Sequence, residues 1–118
     1  MKIDAFYRQV GGDYAETLSR FQNDARIIRF LGMFPKDDSM DALRAAMDKG
    51  DAPTAFRTVH TLKGISLNLG LGALAAACSN MTEALRSQET LPQDPALYAA
   101  VQTEYAKVRE ALDQLDKE

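Results

Sequence analysis

A single cysteine, Cys78, excludes any disulfide within the chain. A single histidine, His60, leaves no paired ligands for the common Cys–His metal patterns, so no metal site is expected. There is no basic excess: the formal net charge is -3 and the pI about 5.1, which argues against a nucleic-acid partner. No apolar run approaches the roughly 20 residues that cross a bilayer, so no membrane span is expected. No charged-then-apolar leader is visible at the start. These absences point to a reducing, aqueous compartment, most simply the cytoplasm. Glycine-rich phosphate loops and the protein-kinase motif set are also missing, so the chain is not expected to draw a phosphoryl group from ATP itself. Strand signals are lacking too: β-branched residues are sparse, and no stretch alternates apolar and polar over a strand's length.

What is present reads as helix. The 118 residues, 46% hydrophobic and 26% charged, suit one soluble domain spanning 1–118. A short first helix is expected over Asp4–Val10, ended by Gly11 and Gly12. Asp13 is a capping residue for a segment carrying Tyr14, Leu18 and Phe21. The pattern stutters near Gln22 and Asn23, and residues 13–34 read better as two helices than as one bent one. The second of these would bury Ile27, Ile28, Leu31 and Phe34. Residues 35–39 read as a turn ending in a cap, followed by a stripe of Met40, Leu43 and Met47 that Gly50 terminates. Asp51 then caps a central helix, with Pro53 in its first turn, running to about Leu69. Gly72–Ser87 forms the next helix, with Leu74, Cys78, Met81 and Leu85 inward, and a last helix begins at Asp94-Pro95. Its stripe is Leu97, Val101, Tyr105, Val108, Leu112 and Leu115. The expected architecture is all-α: an antiparallel four-helix bundle with one or two short extra N-terminal helices packed over one end. The methionines read as packing residues, and the acidic end around Asp113, Asp116 and Glu118 as solvated.

The stretch from Val59 to Gly70 holds the chemistry. Lys63 follows His60 by three positions and Gly64 by four, so all three share one helix face. At about 100° per residue, Ala55, Thr58, Leu62, Ile65, Ser66 and Leu69 fall on the far, core-facing side. Phe56, Lys63, Gly64 and Leu67 lie within about 60° of His60 and, like it, point outward. Two large apolar residues beside an exposed histidine suggest a docking surface; cover by the N-terminal helices is the other reading. Gly64 sits mid-helix, where glycine costs about 1 kcal/mol relative to alanine. Its outward position favours access to the imidazole over close helix packing. Gly70 reads as a helix stop.

Imidazole near neutral pH offers a ring-nitrogen lone pair able to attack phosphorus. A phosphoryl group carries about two negative charges, which Lys63 would offset. A lone helical histidine is more often a surface residue with no task, but here the spacing of its neighbours is informative. His60-x-Leu62-Lys63-Gly64 with Gly70 beyond it resembles the signature of histidine-containing phosphotransfer (HPt) domains. The Gly50-Asp51 break before it, and the Leu74 to Cys78 spacing after it, extend the resemblance over about Asp13 to Arg86.

The resemblance implies a four-helix bundle with an exposed phosphoacceptor, here His60, and with Lys63 as charge partner and Gly64 as clearance. It implies a phosphocarrier in a phosphorelay, not an enzyme with an ATP site. The phosphoryl group would come from a receiver-domain aspartate or a hybrid sensor histidine kinase and pass to a response-regulator receiver domain. No cofactor is implied in the domain; Mg²⁺ is expected in the partner receiver. Many members place a Gln or Glu on the next helix to hold the unreactive ring nitrogen. Thr82 stands at that place here, a departure whose shorter hydroxyl leaves a backbone or water acceptor as alternatives. Arg86 matches a basic position of some members and would add to the positive field, or be a solvated helix charge. Phe56 and Leu67 would lie in the docking surface. A second reading is a non-phosphorylated helical adaptor binding a signalling partner through the His60 face. A hydrolase using His60 as a base has less support, because no nucleophile or oxyanion device stands beside it in the sequence.

Overall fold

A computed structural model describes residues 1–116 of the chain. Seven α-helices follow in order: α1 Ile3–Gln9, α2 Tyr14–Phe21, α3 Asp24–Leu31, α4 Ser39–Lys49, α5 Ala52–Asn68, α6 Gly72–Leu85 and α7 Ala96–Gln114. A 3-10 turn, Phe34–Lys36, joins α3 to α4, and there is no strand among the described residues. The chain is elongated, 44 × 23 × 20 Å.

Helices α4–α7 form the bundle. The breaks between them come from local chemistry. Gly50 ends α4 in the left-handed conformation at φ 69°, which costs a glycine no Cβ clash. Asp51 next to it accepts from the Thr54 amide at 3.1 Å and starts α5, with Pro53 in the first turn. So short a link forces α5 back along α4. Helices α5 and α6, joined by the short turn after Asn68, run antiparallel, and Arg86 at the end of α6 meets Phe56 near the start of α5. α7 closes the ring on α4, with the Arg44 guanidinium 5.7 Å from the Tyr105 ring centroid. The expected stripes of the bundle turn inward, with Met47, Ile65 and Leu97 half-buried. Leu74, Cys78, Met81 and Leu85 of α6 are buried, as are Val101, Tyr105, Val108, Leu112 and Leu115 at α7. Burial pushes the Cys78 thiol up to about 12, as befits a small core residue.

Three short helices precede the bundle, one beyond the expected one or two. The chain is broken at Gln22, whose φ is 78°, and restarted where Asn23 accepts from the Arg26 amide at 2.9 Å. α3 stops at Leu31, and Phe34 is buried from the 3-10 turn instead. In α2, Tyr14, Leu18 and Phe21 are half-buried against the core, and the fully buried residue is Thr17. The Thr17 hydroxyl donates to the Asp13 carbonyl at 2.7 Å, which satisfies it locally and lets it lie against Gly70.

That contact changes the meaning of Gly70. It does end α5 at φ 72°, but a Cβ there would collide with the Thr17 hydroxyl oxygen. Gly12 likewise has no room for a Cβ against the Gly70 carbonyl. Tyr7 of α1, buried, donates to the Leu69 carbonyl at 2.7 Å, and the Asp13 amide donates to the Gly70 carbonyl at 3.3 Å. The N-terminal helices are thus clamped onto the α5–α6 turn. At the opposite end the Met1 amino group pairs with Asp116 at 2.9 Å, so Asp116 is engaged, not merely solvated. Asp113 is exposed as expected, and Glu118 lies outside the described residues.

Candidate functional site

α5 carries the site because its two faces differ. Ala52, Ala55, Val59, Leu62 and Ser66 are buried between its neighbours, and the Ser66 hydroxyl donates to the Leu62 carbonyl at 2.8 Å. His60 is exposed on the other face. Among the described residues, no hydrogen-bond partner engages either nitrogen of its ring. The ring contacts Phe56 one turn below, with centroids 6.0 Å apart and planes tilted by 43°.

Lys63 is half-buried and within electrostatic reach of Glu83 on α6, and Gly64 is exposed. A Cβ on Gly64 would meet nothing within 4 Å. Close helix packing therefore does not explain this mid-helix glycine, and the space above it opens to solvent. Leu67 is 56% exposed, whereas Phe56 is half-buried. The residue covering Phe56 is not from the N-terminal helices: the Arg86 guanidinium, arriving from α6, lies 5.4 Å from its ring centroid. The N-terminal helices instead touch the end of α5, where Arg20 donates to the Leu67 carbonyl at 3.3 Å and leaves its side chain open. Phe56, Arg57, His60, Thr61 and Arg86 line an open cleft of about 440 Å³.

Thr82 is not part of this arrangement. It is fully buried, and its hydroxyl donates to the Cys78 carbonyl at 2.7 Å. The reason is angular: Thr82 lies next to Met81 on the inward side of α6, and its neighbour Glu83 takes the outward place. Glu83 was not among the residues expected at the site. Its carboxylate accepts from Arg86 at 2.8 Å. That hydrogen bond, followed by the Arg86 charge and then those of Lys63 and His60, holds the Glu83 carboxyl below the usual carboxylate range. Its spacing to Arg86, three residues along one helix, was the available signal.

Arg57 is a second unforeseen cation. It is exposed, donates to the Thr54 hydroxyl at 2.9 Å, and lines the His60 cleft together with Arg86 of α6. The methionines are not all packing residues either. Met33 is 57% exposed and, with Phe30, Ile65 and Leu69, lines a cleft of about 410 Å³ where the 3-10 turn meets the end of α5. No group of three or more His, Cys, Asp or Glu is placed to hold a metal ion among the described residues. No helix among them is long and apolar enough to cross a membrane.

A four-helix bundle that holds one histidine out to solvent, with a cation beside it and bare backbone next to it, defines a helical histidine-presenting module. The model of one such family, described as Hpt domain, matches residues 30–118, and the chain belongs to that family. The matched span contains the whole bundle and His60, and omits α1, α2 and most of α3. Neither a curated protein nor a solved structure matches the chain. Hpt domains serve histidine phosphotransfer in phosphorelays.

Proposed function

We propose that the whole chain acts as one phosphorelay intermediate with His60 as the phosphoacceptor. The observation that carries this reading is the exposed imidazole, free of internal hydrogen bonds, beside Lys63 and the uncovered Gly64. One ring nitrogen attacks the phosphorus of a receiver-domain aspartyl phosphate. An N–P bond forms as the P–O bond to the aspartate breaks, and the carboxylate leaves with the bonding pair. The proton on the other ring nitrogen is shared with solvent. The reverse sequence delivers the group to a response-regulator aspartate, or a hybrid sensor histidine kinase loads it first. Mg²⁺ is supplied by the receiver domain.

Lys63 offsets the phosphoryl charge, and its half-buried position supports this because solvent screens a partly buried charge less. Gly64 lets the receiver's backbone approach the ring. Leu67 and Phe56 supply apolar contact, with Leu67 the more open of the two. A soluble, cytoplasmic setting fits this exchange.

The test is phosphotransfer profiling against the receiver domains of the source organism. The expected product is an acid-labile, base-stable label that is absent from His60→Gln. Stable labelling of His60→Gln by the same donor would remove His60 from its role. A receiver that bound His60→Gln and signalled through it unchanged would replace the carrier with an adaptor. Lys63→Ala is expected to slow transfer; an unchanged rate together with an unchanged phosphohistidine lifetime would remove Lys63.

A further inference from the structure

Glu83, Arg86 and Phe56 form a connected unit along one flank of His60. Arg86 is the residue that caps the C-terminal end of α6, where the backbone leaves the helix. Its guanidinium makes two contacts with the Glu83 carboxylate, from Nε at 3.4 Å and from a terminal nitrogen at 2.8 Å. The same guanidinium lies 5.4 Å from the centre of the Phe56 ring, and that ring contacts His60. Arg86 thus lines the His60 cleft while its charge is already engaged by a carboxylate.

An ion pair this exposed is weak, because water screens it and two long side chains must be held. A phosphoryl group is the stronger acceptor, with about two charges and three oxygens. The Phe56 ring keeps the guanidinium over the cleft whichever anion it faces. Glu83 would then be left as a carboxylate close to a dianion, with Lys63 the remaining cation near it.

We propose that Glu83 is a positioning residue that competes with the phosphoryl group for Arg86, so that loading His60 moves Arg86 from the carboxylate to the phosphoryl oxygens and Glu83 limits how firmly the group is held. This rests on His60 being the phosphoacceptor. It makes the acidic residue beside the site a device for release: a carrier must give its cargo up, and a fully committed Arg86 would retain it.

The experiment uses the intact chain, phosphorylated with phosphoramidate and followed by phosphorus and ¹⁵N NMR. In the unmodified protein, Glu83→Gln should shift the Arg86 Nε–H resonance, because its carboxylate is gone. Phosphorylation should shift that resonance in the wild type and bring wild type and Glu83→Gln to a common position. The phosphohistidine of Glu83→Gln should survive about two- to fivefold longer, the scale of an exposed ion pair. Adding Arg86→Ala should abolish that gain, which separates the exchange from a general effect of removing negative charge. An Arg86 resonance that stays at its Glu83-paired position when His60 is phosphorylated, with equal lifetimes in wild type and Glu83→Gln, would overturn the exchange and leave His60 as the carrier. Failure to form any phosphohistidine in the wild type, with phosphoramidate and with receiver donors alike, would overturn the carrier reading itself.

Discussion

Gly64 is the residue whose presence the fold does not need. Nothing among the described residues crowds it, so alanine fits without a clash and restores the helix propensity that glycine forfeits. Gly64→Ala should therefore raise stability by about 1 kcal/mol, read by urea unfolding. If the receiver's backbone passes over this point, the same variant should lose at least about tenfold in transfer rate, since a small misplacement of reacting atoms is costly. A variant both stabilised and fully active would show that the open space is not used. Gly70 is the opposite case. Gly70→Ala places a Cβ at positive φ and against Thr17, and should cost about 2 kcal/mol or more. Its effect on His60 chemistry should follow only the folded fraction, measured by thermal unfolding beside labelling. The sequence reads Gly64 as access and Gly70 as a helix stop; that a Cβ at Gly70 would strike Thr17 is visible only in the structure.

At the scale of elements, α5 is set by its ends. Hydrogen bonding from Thr54, through its side chain and then its amide, holds the Asp51 carboxyl below the usual carboxylate range. A carboxyl whose folded pKa is depressed contributes stability that is fully present above the unfolded value of about 3.9. The contribution is lost as pH falls through the lower folded value. Asp51→Asn keeps an acceptor for the Thr54 amide but cannot titrate, so the acid limb below about pH 4 should flatten while stability at neutral pH changes little. Asp51→Ala should lower the melting temperature at neutral pH as well. Equal acid sensitivity in wild type and Asp51→Asn, followed by circular dichroism from pH 6 to 2, would show that the cap does not carry this dependence.

For the whole molecule, the bundle puts core packing and the exposed imidazole on opposite faces of α5. Leu62 is 1% exposed, two residues from His60 and on the other side of the helix. Leu62→Ala should cost about 2–5 kcal/mol, the range for large-to-small changes in a core. The protein that remains folded should still accept phosphoryl on His60. A loss of acceptance with stability intact would mean that the core face positions the imidazole. The N-terminal helices belong to the same scale. They lie largely outside the span that defines the family, yet Tyr7, Gly12 and Thr17 clamp them to the turn that ends α5. Their docking leaves Leu67 and Met33 uncovered, so the apolar surface available near the site is set by how these short helices pack.

Helix periodicity, together with caps such as Asp13 and Asp51 and the glycine at 50, is local physics, so the order and extent of the helices were legible from the sequence to within a few residues. So was the outward direction of His60, Lys63, Gly64 and Leu67, because residues on one helix keep their relative angles whatever surrounds them. Relations between helices were not legible. Thr82 and Glu83 are adjacent, and only the rotation of α6 against α5 decided that Thr82 is sealed in the core while Glu83 stays exposed and paired with Arg86. Arg86 over Phe56, and Thr17 in the space above Gly70, depend in the same way on approach distances between segments far apart in the chain. The sequence by itself determined which side chains ride on each helix and in what direction. The tertiary structure decided which of them meet, because packing fixes each helix's rotation and distance, and a single helix leaves both free.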